Sequence, residues 1–181
     1  NEAAFMFSYG TGPVVISAYT FNGDAKKDSQ SGDYVNNYGF NIGFEHGHDE
    51  HMMFTASLGY ISNIADSDGL TGVATLADGV KDYVAGYALS TNFTFGDFGL
   101  IAEYIKAAKA FDKTSDLATG ATPAAGAEPA AFNIEASYGF GDFTFALGMQ
   151  KSEDLAGTLA ESRTMFAVAH QCSEDVSMAL E

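Results

Sequence analysis

The amino-acid sequence predicts an all-β fold built from antiparallel strands. The clearest signal is in residues 131–150, where apolar side chains occupy every second position on both sides of a Gly141-Asp142 pair. These apolar positions are Phe132, Ile134, Ala136, Tyr138 and Phe140, followed by Phe143, Phe145, Leu147 and Met149. Such alternation around two turn-forming residues is typical of a β-hairpin with one apolar and one polar face.

The composition of the polar face distinguishes two kinds of sheet. It carries glycines, small residues and Asn133, Glu135 and Gln150, rather than the Lys- and Glu-rich surface of a solvated sheet. Apolar side chains toward lipid and polar ones toward water are the pattern of a transmembrane β-barrel. We therefore expect residues 1–181 to form one domain of an antiparallel up-and-down transmembrane β-barrel. A soluble β-sandwich or barrel is the alternative, and it would be soluble without detergent.

Strand signals recur in ten segments along the chain. They are residues 3–10, 14–22, 37–46, 51–62, 82–94, 98–107, 131–140, 143–151, 162–171 and 176–181. Short connections alternate with long ones rich in Asp, Ser, Gly, Ala and Thr. The long connections are residues 23–36, 63–81, 108–130 and 152–161. Bacterial outer-membrane barrels have short periplasmic turns and long extracellular loops, so the alternation predicts that topology.

The separation into two faces is clear in most segments but not in all. In the third segment Tyr38 and Phe40 are predicted to project from one face of the strand and Asn41 from the other. Segments 98–107 and 162–171 are mixed, because apolar and charged residues share a face there, and we assign them as strands from their neighbours. The mixed faces hold Ile101 and Ile105 with Glu103, and Met165 with Arg163 and Gln171.

Aromatic residues stand near the ends of many predicted strands. They are Tyr9, Phe21, Tyr38, Tyr60, Tyr83, Phe98, Tyr104, Phe140 and Phe143. Rings at both lipid–water boundaries form the aromatic girdles of membrane barrels. The high propensity of Tyr and Phe for strands is the alternative explanation.

The orientation of the strands predicts that the barrel extends beyond this chain. If the short turns are periplasmic, the first strand starts and the tenth strand ends on the extracellular side. Bacterial single-chain barrels have an even number of strands and ordinarily have both termini in the periplasm. Open strand edges are prohibitive in lipid. We therefore expect an internal portion of a barrel of twelve or more strands, truncated at both ends.

Charge and motifs exclude several functional classes. The formal net charge of −16 disfavours nucleic-acid binding, which requires clustered Lys and Arg. The single cysteine, Cys172, cannot form an internal disulfide. No catalytic motif is present, and His170 has no evident nucleophile partner in the sequence, so we do not expect an enzyme.

Charged residues are distributed unevenly between the connections. All seven lysines lie in or beside the long ones: Lys26, Lys27, Lys81, Lys106, Lys109, Lys113 and Lys151. We expect them to meet lipopolysaccharide phosphates or an anionic solute, with solvated loop charges as the alternative. The acids of the same loops are candidate ligands for bridging divalent cations. They are Asp24, Asp28, Asp66, Asp68, Asp112 and Asp116.

A histidine-rich turn is the other candidate metal site. His46, His48 and His51 flank Asp49 and Glu50, a density of imidazole and carboxylate that suits Zn or Cu. A solvated turn without metal is the alternative.

The lumen of the predicted barrel is lined by the polar positions of the strands. The predicted lining residues are Asn41, Glu45, Glu103, Asn133, Glu135, Gln150, Arg163 and Glu181. Such groups set selectivity by charge and hydrogen bonding, and the excess of Glu over Arg predicts a preference for cations. A porin passing small solutes is the first functional prediction. The second is a structural or adhesive outer-membrane barrel with long acidic extracellular loops and no conduction.

Several stretches resemble, in order and spacing, the siderophore porin family typified by the legiobactin uptake porin. They are NGDAKKDSQSGDYVNNYGFNIGFE, ASLGYISNIADSDGL, NFTFGDFGLIAEYIKAAKAFD, GAEPAAFNIEASYGF and LAESRTMFAVAHQCSEDVSMALE. The resemblance implies an outer-membrane barrel that takes up ferric siderophores or a related small solute without a plug domain. The chain departs from the family in its histidine-rich turn, and it lacks the family's upstream portion and a closing strand after Glu181.

Overall fold

The computed structural model describes residues 4–23, 35–49, 51–66, 83–111, 126–155, 160–173 and 176–180. These residues form ten strands and a single-turn 3-10 helix at Ile64–Asp66. The strands are β1 (Ala4–Thr11), β2 (Val14–Phe21), β3 (Asn37–Asp49), β4 (Met52–Ile61), β5 (Gly86–Phe95), β6 (Phe98–Ala107), β7 (Ala130–Phe140), β8 (Phe143–Glu153), β9 (Ser162–Ser173) and β10 (Val176–Leu180). No helix in this part of the chain is long and apolar enough to span a membrane.

The strands form one sheet in sequence order, and every neighbouring pair is antiparallel. This confirms the predicted all-β, up-and-down fold of about ten strands. Within the described residues β1 pairs only with β2, and β10 pairs only with β9. The described sheet is therefore open, and closure into a barrel stays a prediction.

Short and long connections alternate as predicted, and the three short ones that are fully described, at residues 12–13, 96–97 and 141–142, are two-residue turns. All three turns begin with glycine at positive φ: Gly12 at 55°, Gly96 at 54° and Gly141 at 58°. The second residue of each turn is Pro or Asp and has no positive φ. Glycine at the first position is the signature of a type II′ turn, whose twist matches that of the flanking strands.

The cross-strand registers sort side chains onto two faces, because directly opposed residues project to the same side of a sheet. One row runs through Ile42, Leu58, Leu89, Tyr104 and Phe132. We call the side with this row the apolar face. The opposite side, the polar face, has a parallel row of hydrophilic residues: Ser57, Ser90, Glu103, Asn133, Gln150 and Arg163.

The apolar face is exposed along the whole sheet. Phe5 in β1 is 71% exposed, Leu89 in β5 is 52% exposed and Leu147 in β8 is 58% exposed. Nearly all of the exposed large hydrophobic side chains in the described strands lie on this face. The exceptions on the polar face are Met6, Val15, Met53, Ile101 and Ile105.

The buried apolar core is small and lies at the long-connection end of the sheet. We call it the rim cluster; it consists of Ile64, Ala65, Val84, Ala107 and Phe111. The side chain of Ile64 lies over Gly86, where an added Cβ would approach Ile64 Cδ1 to 2.8 Å. Since Gly86 is opposed by Ile61 and Ala107 in the registers, the cluster covers the polar face.

The rim cluster explains one error in the predicted strand bounds. Residues 83–85, assigned to the fifth strand from the sequence, lie outside β5. The backbone carbonyl of Val84 instead accepts a hydrogen bond of 2.8 Å from the Ile64 N–H, and the Val84 side chain is buried in the cluster. Tyr83 packs against the same cluster, so its assignment to a girdle is wrong.

Phe21 is a second residue that the sequence pattern wrongly assigns to a girdle. Phe21 lies on the polar face, where its ring stacks on Tyr19 at a centroid distance of 6.3 Å. The remaining predicted girdle residues lie on the apolar face. They are Tyr9, Tyr38, Tyr60, Phe98, Tyr104, Phe140 and Phe143.

A buried polar cluster anchors β3 to the connection after β4. The Asn37 side chain is buried, and its Oδ1 accepts hydrogen bonds from Ser62 Oγ at 2.5 Å and from the Asn63 N–H at 3.2 Å. Its Nδ2 donates to the Asn63 carbonyl at 3.1 Å. The hydroxyl of Ser62 also accepts a bond of 2.9 Å from the Tyr38 N–H.

We expect Asn37→Ala to lower the free energy of unfolding by about 1–3 kcal/mol, because it leaves buried donors without an acceptor. Asn41→Ala is the matched control, since Asn41 is on the same face of the same strand and its side chain makes no hydrogen bond with the described residues. Urea unfolding of the purified protein, followed by circular dichroism, measures the free energy of unfolding of both variants. Equal losses in the two variants would contradict this role of Asn37.

Two glycines of β3 provide a second matched pair. A Cβ on Gly39 would overlap the Tyr19 ring and the Tyr60 carbonyl, whereas a Cβ on Gly43 would lie 3.8 Å from its nearest neighbour. Overpacking of this kind costs about 1–3 kcal/mol. Gly39→Ala should therefore lower the unfolding midpoint in urea clearly more than Gly43→Ala. The same midpoint for both would show that the Tyr19 ring does not rest on Gly39.

Candidate functional site

The polar face gathers the residues predicted to line a lumen. Seven of the eight share it in the registers: Asn41, Glu45, Glu103, Asn133, Glu135, Gln150 and Arg163. Glu181, the eighth, lies outside the described residues. The mixed segments 98–107 and 162–171 also follow the predicted pattern, with Ile101 and Ile105 beside Glu103 and with Met165 beside Arg163.

The polar row crosses six neighbouring strands. It begins with Ser57 and Ser90, whose hydroxyl oxygens are 2.8 Å apart, and it ends at Arg163 in β9. Strands lie about 4.8 Å apart, so the row is about 24 Å wide. It presents hydroxyl, carboxylate, amide and guanidinium groups in sequence, which together donate and accept hydrogen bonds.

Most side chains of the polar row have no hydrogen-bond or ion-pair partner in the part of the chain that the structure describes. Within the described residues, the side chains of Glu103, Asn133, Gln150 and Arg163 make no hydrogen bond or ion pair. Glu135, one row away, also has none. Because polar groups without protein partners require water or solute, this face is suited to a hydrated surface.

Recesses on this face are large enough for small molecules. One of about 360 Å³ is lined by Ser90, Glu103, Asn133 and Gln150 among others. A second of about 240 Å³ lies between Glu135 and Arg163. A third of about 300 Å³ lies beside the Gly96-Asp97 turn.

The charges of the two faces differ. On the polar face of the described strands Glu45, Glu103 and Glu135 outnumber Arg163, which agrees with the predicted excess of acid. Lys106 and Lys151 lie on the apolar face at the long-connection end. They form ion pairs of 2.7 Å with Glu128 and Glu153, respectively.

The histidine-rich turn is only partly described. His46 lies on the apolar face, with its ring 6.4 Å from that of Phe44. His51 belongs to the turn, while the side chain of His48 and residue 50 lie outside the description. No group of three metal-ligating side chains occurs within the described ranges. The metal site therefore stays a prediction.

The loop acids predicted to bind divalent cations also lie outside the described part of the chain. For Asp66 this applies to the side chain alone, because its backbone belongs to the 3-10 helix. The other five are Asp24, Asp28, Asp68, Asp112 and Asp116.

His170 and Cys172 form a side-chain contact that the sequence does not predict directly. His170 Nδ1 lies 3.4 Å from Cys172 Sγ, and the His170 ring is 4.4 Å from the Phe143 ring. His170 and Cys172 are two positions apart along β9, so strand periodicity places both side chains on one face. That spacing is the signal in the sequence. The contact of 3.4 Å corrects the expectation that His170 has no nucleophile nearby.

Comparison with known proteins shows a partial sequence likeness. No protein-family model matches the chain, and no solved structure matches it. The chain is similar to a UPF0422 protein of Coxiella burnetii, with 28% identity over 132 residues. The similarity covers 72% of this chain and 27% of that protein, so the chain spans about a quarter of the length of the curated relative.

Proposed function

We propose that this protein forms part of a β-barrel in the bacterial outer membrane and lets small solutes pass through a polar lumen. The observation that carries the proposal is the exposed apolar face of a ten-stranded sheet whose opposite face is hydrophilic. Lipid on one side and water on the other satisfy both faces at once.

The size of the apolar face argues for lipid over water. Nine strand spacings of about 4.8 Å and about ten residues of 3.3 Å give an area of roughly 1,400 Å². The largest apolar patch of a typical soluble monomer is about 300–600 Å². Keeping a Leu or Phe side chain in water instead of burying it costs about 1.5–3 kcal/mol, so an uncovered face of this size would be strongly unfavourable.

The lengths of the strands fit a membrane. A tilted transmembrane strand needs about 9–11 residues. Strands β3 to β9 contain between 10 and 13 residues each. The aromatic rings and Lys106 and Lys151 at the long-connection end of the apolar face would then lie near lipopolysaccharide headgroups.

The polar face provides the proposed path for solutes. Its Glu, Asn, Gln and Arg side chains, which have no partner among the described residues, would replace the water shell of a passing molecule, and its acids would favour cations. The resemblance to siderophore porins makes ferric siderophores the candidate cargo. No catalytic step is part of this proposal.

We expect Leu147→Lys to reduce folding into lipid vesicles, because a lysine at the bilayer midplane of the lipid face costs about 2–4 kcal/mol. Ala146→Lys is the matched control, since Ala146 is the next residue of β8 and projects from the polar face. The folded fraction is measured by heat-modifiable electrophoretic mobility.

Equal folding of the two lysine variants would contradict the assignment of faces. Folding of the unmodified protein in buffer without detergent or lipid would favour the soluble alternative.

We expect the protein to conduct ions in a planar bilayer with a preference for cations. Charge reversal at Glu103 and Glu135 to Lys should shift the reversal potential toward anions, because both carboxylates lie on the polar face. Glu153→Lys is the control, since Glu153 lies on the apolar face. An unchanged reversal potential in the double variant would remove both residues from the lumen.

A structural or adhesive barrel without conduction is the second candidate. The rim cluster favours it, because Ile64 and Phe111 occupy the polar face at the end next to the long connections. Absence of conductance from correctly folded protein would favour this function over transport.

A further inference from the structure

The recess between β7 and β9 has features of a binding site. It has a volume of about 240 Å³ and is lined by Glu135, Gly148, Arg163 and Met165, among others. Gly148 stands directly between Glu135 of β7 and Met165 of β9 in the registers. Because Gly148 has no side chain, its backbone forms the floor of the recess.

The space above Gly148 is limited by the Met165 side chain, so a substitution that adds a Cβ at Gly148 would narrow the recess. A Cβ at this position would lie 3.1 Å from Met165 Cε and 3.7 Å from the Ile134 carbonyl oxygen. The nearest atom is the end of a flexible methionine, so an alanine fits after a small shift of that side chain. The added methyl group would nevertheless occupy part of the floor.

Opposite charges face the recess without neutralising each other. Glu135 and Arg163 both line it, yet neither forms an ion pair or hydrogen bond with any of the described residues. Two strand spacings of about 4.8 Å place the backbones of β7 and β9 about 10 Å apart. A small molecule can therefore lie between the carboxylate and the guanidinium.

The chemistry of the two groups specifies complementary ligands. A guanidinium presents a planar pair of donors that matches a carboxylate, and a carboxylate accepts hydrogen bonds from an ammonium group. A ligand with only one charge would leave either Glu135 or Arg163 without a partner.

We propose that this recess binds small zwitterionic solutes, with their carboxylate on Arg163 and their ammonium group on Glu135. This inference rests on the proposed function in one respect, namely that solutes reach the polar face. It adds a solute class and a binding position to that function.

Titration of detergent-solubilised protein with 4-aminobutyrate, followed by saturation-transfer NMR, tests the inference. Butyrate and n-butylammonium are the single-charge control probes. Each charge-assisted contact is expected to contribute about tenfold or more in affinity, so 4-aminobutyrate should bind at least about tenfold more tightly than either control. Equal affinity for 4-aminobutyrate and butyrate, or no binding of 4-aminobutyrate, would overturn the zwitterion site.

Substitutions of the residues that line the recess test where 4-aminobutyrate binds. Arg163→Gln and Glu135→Gln should each weaken 4-aminobutyrate binding at least about tenfold, because each removes one charge-assisted contact. Gly148→Ala should also weaken it while leaving all charges unchanged. Glu153→Gln is the control, since Glu153 lies on the apolar face, and the binding of this variant should equal that of the unmodified protein. Circular dichroism verifies folding of each variant, and an equal loss in Glu153→Gln would contradict the assigned position.

The conductance and binding measurements together distinguish this inference from the proposed function. Conductance without binding of 4-aminobutyrate would reject the recess and leave the channel intact. Binding without conductance would keep the recess and reject transport.

Discussion

Side chains of a β-strand alternate between two sides, and the registers of this sheet keep both faces continuous across all ten strands. Among the described pairings, one-residue register shifts occur at strand ends, between Gly47 and Asp49 in β3 and between Val176 and Ser177 in β10. A shift of one residue between any two strands would move a whole set of Phe and Leu side chains to the other side. The type II′ turns at Gly12, Gly96 and Gly141 help to prevent this, because a two-residue turn fixes the register of its hairpin. Both faces of the sheet depend on this constraint.

The two faces make different demands on the sequence. The apolar face carries large hydrophobic residues without protein packing partners among the described residues, and under the proposed function fluid lipid would cover them without specific packing. The polar face has tighter local requirements, as the Tyr19 ring over Gly39 and the hydrogen bonds of Asn37 show. The rim cluster adds ordinary apolar packing at one end of this face. Glycines and small residues on the polar face thus leave room both for packed side chains and for open recesses.

Much of this architecture could be predicted from the sequence because period-two alternation and turn residues are local signals. The ten strands, their order and the shared face of Glu103, Asn133 and Arg163 follow from such signals. The misplaced residues have long-range causes: Val84 and Tyr83 leave the strand pattern because Ile64, about 20 residues earlier, supplies their packing partner. The Asn37 network and the recess at Gly148 were not predictable, since each brings together residues that are distant in the sequence.

The central claim is that the apolar face contacts lipid and that the polar face contacts water. A nitroxide scan along β8 from Thr144 to Met149, in protein with Cys172 replaced by serine and reconstituted in lipid vesicles, measures it most directly. Accessibility to oxygen, which partitions into lipid, should peak at Phe145, Leu147 and Met149, and accessibility to a water-soluble nickel chelate should peak at Thr144, Ala146 and Gly148. Apolar positions shielded from both reagents would instead show that this face is buried against protein, which contradicts the account.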